Sequence, residues 1–348
     1  MSIRENIIAA ADNELSSRRR QAGIRAGLRK EEALRQYPVI GRMNARVNYI
    51  GLRENYLALG ERVPDSIVRL AGEANSDVFT VSPEELPALK QKAEAERQKE
   101  IKAAGLEALF CGANVYCPVC GDRGGSDCGC YTKILAEKIL DSSGLPEGSE
   151  TLSDVGTAVY PPEADKTLYG AAESPRTQAE NCIRRTGEFL RGEGGEKNKK
   201  LLLISGQVGV GKTWLAAAAG REAAENCMFV CYRKTPSLFD DMLLAGSYSD
   251  EEEDRAAAQD RREYAEEADL LIIDDLGIEV VSGKKIEYLI TLIDLRAGAG
   301  RKTVVTSNLA LSDIAREYGE RLASRFADRD NSTCLRLIGP DLRLRRKV

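Results

Sequence analysis

Residues 206–213 read Gly-Gln-Val-Gly-Val-Gly-Lys-Thr, and the reading of this stretch decides the fold. It matches the phosphate-binding pattern G-x-x-x-x-G-K-[ST], follows the apolar run Leu201-Leu202-Leu203-Ile204 and precedes the helix-forming run Trp214 to Ala219. A strand, a glycine-rich loop and a helix in that order aim backbone N–H groups at phosphate oxygens, at the positive end of the helix. Gly206, Gly209 and Gly211 allow the sharp turn, and Gln207, Val208 and Val210 complete the cradle. Lys212 is placed to reach the β- and γ-phosphates of ATP, and the Thr213 hydroxyl to ligate Mg²⁺. The stretch predicts a nucleoside triphosphate site.

Outward from the loop, apolar runs recur at 201–205, 228–232, 270–274, 302–306 and 334–338, separated by helical stretches. That alternation, from about residue 178 onward, predicts a parallel sheet flanked by helices. The third run, Leu270-Leu271-Ile272-Ile273, ends in Asp274 and Asp275. Acids at the C-terminal tip of a buried strand lie where such sheets bind ligands. Asp274 is read as a water-mediated Mg²⁺ ligand, and Asp275 as the group that orients and polarises the attacking water. The fourth run ends in Thr306-Ser307-Asn308, and the Asn308 amide is the candidate contact to the γ-phosphate or the water. Arginines in Gly319–Phe326 and Gly339–Arg343 are candidates for neutralising charge that develops on the transferred phosphoryl group.

The composition narrows the class. Of 348 residues, 43% are hydrophobic and 30% charged, which is ordinary for a globular chain of two or three domains. No apolar run approaches the roughly 20 residues needed to span a bilayer, and the N-terminus has no secretory apolar core. The expectation is a cytoplasmic protein with no membrane partner. A net charge of −5 argues against a broadly basic nucleic-acid surface, although Arg343, Arg345, Arg346 and Lys347 cluster near the end. The chain has no histidine, so any metal site must use sulfur or oxygen.

Nine cysteines in such a chain favour metal binding or burial over disulfides. Cys117-Pro-Val-Cys120 and Cys128-Gly-Cys130, joined by a turn-prone spacer, can complete a tetrahedral sulfur shell for Zn²⁺, with an Fe–S centre as the alternative. Cys111 is a substitute ligand. Cys182, Cys227, Cys231 and Cys334 read as small core residues. Helices are expected over 3–36, about 44–59, 83–109 and 131–140, and the Gly/Pro/Ser/Asp-rich stretch 141–176 reads as a linker. The expected division is a helical region 1–108, a cysteine module with its helix 109–140, a linker 141–177 and an ATPase domain 178–348.

The order GQVGVGKT, LLIIDDLG, TSNL, GERLASRF and GPDLR resembles AAA+ ATPases of the DnaC/DnaI helicase-loader family and the related IstB transposition ATPases. The resemblance implies an AAA+ fold with a five-stranded parallel sheet, Walker A at 206–213, Walker B at Asp274 and Asp275, and sensor 1 at Asn308. It also implies that Arg325 is an arginine finger acting on a neighbouring subunit's nucleotide and that Arg343 is a sensor 2-like arginine. Asp275 stands where many AAA+ proteins carry Glu. The segment YCPVCGDRGGSDCGC, residues 116–130, is similar to the cysteine pattern that precedes the ATPase domain of DnaI-type loaders and that IstB-like proteins lack. The resemblance thus implies a loader that self-associates through its AAA+ domain. Its zinc-braced N-terminal region would grip a hexameric DnaB-type helicase and deliver it to single-stranded DNA, with ATP hydrolysis as the release switch. The alternatives are an IstB-like accessory ATPase that binds DNA and recruits a transposase, and a small-molecule phosphotransferase, for which no acceptor motif is visible.

Overall fold

The computed structural model of the chain describes residues 2–110, 115–125, 128–246 and 251–344. Cys111, Arg345, Arg346 and Lys347, singled out above, lie outside the described residues. The chain divides into two compact units, one made of residues 1–13 and 125–348, the other of residues 14–124.

The larger unit is built on β1 (Leu201–Gly206), β2 (Val230–Lys234), β3 (Leu270–Leu276), β4 (Lys302–Ser307) and β5 (Ser332–Leu337), all parallel, in the order β2-β3-β4-β1-β5. Leu201 to Ile204 and Leu270 to Ile273 are buried, as expected when helices cover both faces of a parallel sheet. The longer helices of the chain are α1 (Ile3–Gln36), α2 (Pro38–Ala58), α3 (Leu86–Ala103), α4 (Gly129–Ser142), α5 (Pro175–Arg191), α6 (Lys212–Glu225), α7 (Thr235–Ala245), α8 (Glu252–Glu267), α9 (Gly283–Gly298), α10 (Leu311–Tyr318) and α11 (Glu320–Ala327). The sheet order inserts β4 between the loop-bearing β1 and the acid-bearing β3, so three polar tips stand side by side. Between β3 and β4 the register shifts after Ile273 and resumes at Leu276. Asp275, inside that interruption, has φ +60 and donates its N–H to Thr306 Oγ1 at 2.9 Å instead of to the ladder. Such a bulge re-aims a side chain at the strand tip.

The smaller unit packs Val47 and Ile50 of α2 against Val78, Leu86 and Ala93. The Arg53 guanidinium, buried there, donates to the carbonyls of Val78 and Val81 and so closes backbone groups left by a short helical turn. The highly charged α3 fully buries only Leu86, Ala93 and Ile101, packs Leu89 partly against the core and leaves much of its remaining surface to solvent, as its composition predicts.

Three local expectations are corrected. The second helix starts at Pro38 instead of about Asn44, because proline suits a first turn where its missing N–H has no partner to lose. Strand β2 starts at Val230 instead of 228, displaced by the turn at Cys227 with φ +59. Cys334 is exposed, not a core residue, because β5 is an edge strand whose side chains alternate outward, whereas Cys182 and Cys231 are buried as expected. Among the described residues no helix is long and apolar enough to cross a membrane.

Candidate functional site

The loop between β1 and α6 takes the shape its glycines predict. A Cβ on Gly206 would collide with the Leu337 carbonyl, and one on Gly209 with the Asp341 carboxylate; both residues have positive φ. Glycine is therefore required where β5 and the segment after it press on the loop. The loop is held from outside by Tyr160, which is buried and donates its hydroxyl to the Val210 carbonyl at 2.8 Å. Tyr160 belongs to the stretch read from composition as a linker.

A cavity of about 1030 Å³ opens at the strand tips. Its walls include Val208, Gly209 and Gly211 to Trp214, then Asp275, Ile278 and Asn308, and finally Leu342 and Arg343, with Pro146–Glu150 and Ala158–Val159 closing one side. Lys212 is 4% exposed and donates to the Gln207 carbonyl at 2.8 Å and to Asn308 Oδ1. Burial pulls its pKa below the ordinary lysine value, opposed by the charges of Asp275 and Asp274. Burial, then the charge of Asp274, holds the Asp275 carboxyl above the ordinary aspartate value, opposed by Lys212. A phosphate chain arriving between these groups restores partners to a lysine that the fold has desolvated.

Asp274 is fully buried and sits among hydroxyls. Its carboxylate accepts from Thr213 Oγ1 at 3.0 and 3.1 Å, from Thr306 Oγ1 at 2.6 Å and from the Tyr232 hydroxyl at 2.6 Å. Thr235, at the start of α7, donates to the Asp274 carbonyl at 2.9 Å. Burial, together with the bond to Asp274, raises the Tyr232 phenol far above its ordinary pKa, so it stays a neutral donor. Thr213 and Asp274 supply adjacent hard oxygen atoms beside the cavity, a donor set that fits Mg²⁺. When bound, the ion would neutralise charge on the β- and γ-phosphates.

The structure thus brings together Lys212, Thr213, Asp274, Asp275 and Asn308. Arg343 also lines the cavity, where its Nη2 and Nε bind the Asp341 carboxylate at 2.8 and 3.0 Å. Arg325 does not join them. It lies on α11, paired with Asp294 of α9 at 2.8 Å and donating to the Arg321 carbonyl at 2.7 Å. Tyr232, Thr306, Thr235 and Tyr160 were missed from sequence. Thr306 stood in a stretch noted for its polar tip, whereas Tyr232 sits within an apolar run and carried no signal.

Cys117 and Cys120 carry the C-x-x-C turn of the smaller unit, and in the larger unit the Cys128 and Cys130 sulfurs lie 3.3 Å apart. Two thiolate pairs of this chemistry suit Zn²⁺. Asp122, buried and at φ +56, accepts from the backbone N–H groups of Tyr116 and Cys117 at 2.8 and 2.7 Å and shapes the first turn.

Comparison with known proteins agrees with this geometry. Residues 187–348 match the family described as IstB-like ATP binding protein. An insertion-sequence ATP-binding protein of Pseudomonas fluorescens is 35% identical over 111 residues, 32% of this chain and 45% of that protein. An ATP-binding protein in an insertion sequence of Mycobacterium tuberculosis is 34% identical over 109 residues, 31% of this chain and 41% of that protein. The match therefore spans less than half the length of these relatives. Among solved structures, DnaI superimposes with a TM-score of 0.40 at 23% identity, covering 56% of this chain and 95% of that one. The DnaC helicase loader does so with 0.38 at 20% identity, covering 53% and 98%. Scores this low bear on no functional conclusion. With its P-loop, paired acids and strand-tip amide in place, the segment 187–348, a little under half of the chain, is similar to the IstB-like ATP binding proteins.

Proposed function

We propose that the chain binds and slowly hydrolyses ATP, and uses occupancy of the site to hold and then release a partner protein on DNA. The observation that carries this reading is the meeting of Lys212, Asp275 and Asn308 at one end of the cavity, above the Thr213–Asp274 oxygen pair. Lys212 and the loop N–H groups bind phosphates, Asp275 orients water, and Asn308 reports on the γ-phosphate. Arg325, turned to Asp294 on the outside of its own chain, is available to a neighbouring copy, which would make hydrolysis a property of the assembly.

The curated relatives are insertion-sequence ATP-binding proteins, and they favour transposition as the setting, with a transposase as the partner. Helicase loading, placed first on sequence motifs, becomes the second reading. One observation favours it: the two cysteine pairs of residues 117–130 and the helices of residues 14–110 lie outside the region that matches the IstB-like family. In that reading the N-terminal region grips a DnaB-type helicase and delivers it to single-stranded DNA in the cytoplasm.

Mixing the full chain with each candidate partner, a transposase or a hexameric helicase from the same genome, separates the two. Complex mass is measured with ATP, ADP or a nonhydrolysable analogue, with and without DNA. An ATP-dependent complex with one partner assigns the setting. A chain that binds neither partner and leaves ATP intact removes the proposal.

A further inference from the structure

Asp274 holds three hydroxyl hydrogen bonds, and the three donors differ in what else they do. Thr213 belongs to the phosphate loop, and its hydroxyl is the one a bound metal ion claims. Thr306 is already shared, since it accepts the Asp275 N–H at 2.9 Å while donating to Asp274 Oδ1. Tyr232 donates to Asp274 Oδ2 at 2.6 Å. Its position is fixed independently of the nucleotide. The Tyr232 N–H donates to the Ser143 carbonyl at 2.8 Å, and a Cβ on Gly144 would meet the Tyr232 carbonyl at 2.9 Å. The aromatic ring is 6% exposed within the sheet, where β2 is the outer neighbour of β3. A hydroxyl on a buried ring therefore holds Oδ2 at 2.6 Å, with Thr213 reaching the same oxygen at 3.1 Å, and leaves Oδ1 to Thr306 and Thr213.

We infer that Tyr232 is the positioning residue that presents the Asp274 carboxylate to the metal ion of the nucleotide site. The inference rests on the proposed ATP site and deepens it. It concerns how the oxygen pair is aimed, not whether phosphate binds. Groups that hold a metal-binding carboxylate from behind typically set metal affinity by about ten- to a hundredfold. Tyr232→Phe removes one oxygen and keeps the ring, so the sheet packing survives.

The test uses the full chain and a fluorescent nonhydrolysable ATP analogue, titrated in EDTA and then over a range of Mg²⁺. Tyr232→Phe should keep the parent's affinity in EDTA and lower its metal-free melting temperature only by the few degrees that one buried hydrogen bond is worth, roughly, while the Mg²⁺ concentration for half-maximal tightening rises on the order of tenfold. In an Asp274→Asn background the same substitution should have no further effect on the Mg²⁺ response, because the group it acts through is gone. A parent that shows a Mg²⁺ response unchanged in Tyr232→Phe overturns the inference while leaving the ATP site standing. An equal loss in EDTA, or an undiminished effect in the Asp274→Asn background, overturns it as well by assigning Tyr232 a packing role. A parent that binds no nucleotide at all removes the ATP reading, and this inference with it.

Discussion

The Lys212 ammonium donates to the side-chain oxygen of Asn308, joining the first residue of α6 to the tip of β4. In the proposed ATP site, the contact crosses the place where the terminal phosphate would lie. Lysine and amide are thus already aimed at one point, and the ligand has only to enter between them.

Lys212→Ala should lower ATP affinity on the order of a hundredfold, since it removes charge-assisted bonds worth roughly 1.5–3 kcal/mol each. Fluorescent-nucleotide titration checks this, and retention of the parent's affinity would contradict the P-loop assignment. Asn308→Ala should spare binding far more than hydrolysis, because its amide matters most once charge shifts along the γ-phosphate.

Arg325 pairs with Asp294 on the outside of its own domain, so Arg325→Ala should leave nucleotide binding by the isolated chain intact. Hydrolysis in concentrated protein should fall by up to about a thousandfold, the scale of an arginine supplied in trans. ATPase rate measured against protein concentration distinguishes this from a role within one chain, for which binding and rate would drop together.

Elemental analysis should find about one zinc per chain, as the four-thiolate count requires. Asp122→Ala should weaken zinc retention on the order of tenfold in a chelator competition, because it strips the acceptor that fixes the Tyr116 and Cys117 N–H groups. A metal-free protein, or one carrying iron, would overturn the zinc assignment.

Tyr160→Phe should cost about 1 kcal/mol of stability by leaving the Val210 carbonyl without its buried donor. Burial pushes the Tyr160 phenol up to about 12, so the bond and this loss should be constant through neutral pH. Chemical denaturation of parent and variant at pH 6 to 8 (about that range) tests it.

Glu196 is buried beneath Arg185 at 2.6 Å and Lys199 at 3.5 Å, and it also accepts from Thr333. Burial raises its pKa, yet Thr333, Arg185 and Lys199 together outweigh that and hold it below the usual 4.5. Glu196→Ala should therefore destabilise the domain by about 3 kcal/mol near neutral pH, with two cations left short of a partner. An acid whose folded pKa is depressed contributes fully above its unfolded value and loses the contribution as pH falls through the folded one. The gap in melting temperature between parent and variant should thus narrow as the solution is acidified below 4.5. A constant gap would mean that packing, not charge, supplies the stability.

The chemistry legible in the sequence was chemistry written in short spacing. Gly206 to Thr213, the Asp274–Asp275 pair and the two cysteine pairs are local patterns whose geometry follows from a few consecutive residues. The strand runs were legible too, because a strand buried on both faces must be apolar along its length. Helix starts at Pro38 and strand starts at Val230 were less so, since a single proline or a positive-φ Cys227 moves a boundary without changing the pattern. Cys334 was misplaced because periodicity cannot tell an edge strand from a central one.

The amino-acid order by itself determined that a glycine-rich loop, a pair of acids and two cysteine pairs exist, and that parallel strands carry the first two. Only the tertiary structure decided what surrounds them. Tyr232, Thr306 and Thr213 meet at Asp274 because the sheet order sets β2 and β4 on either side of β3, with β1 just beyond β4. Tyr160 reaches Val210 across fifty positions of chain. Hydrogen bonds between residues so far apart are specified by strand order and packing, and no local spacing encodes either.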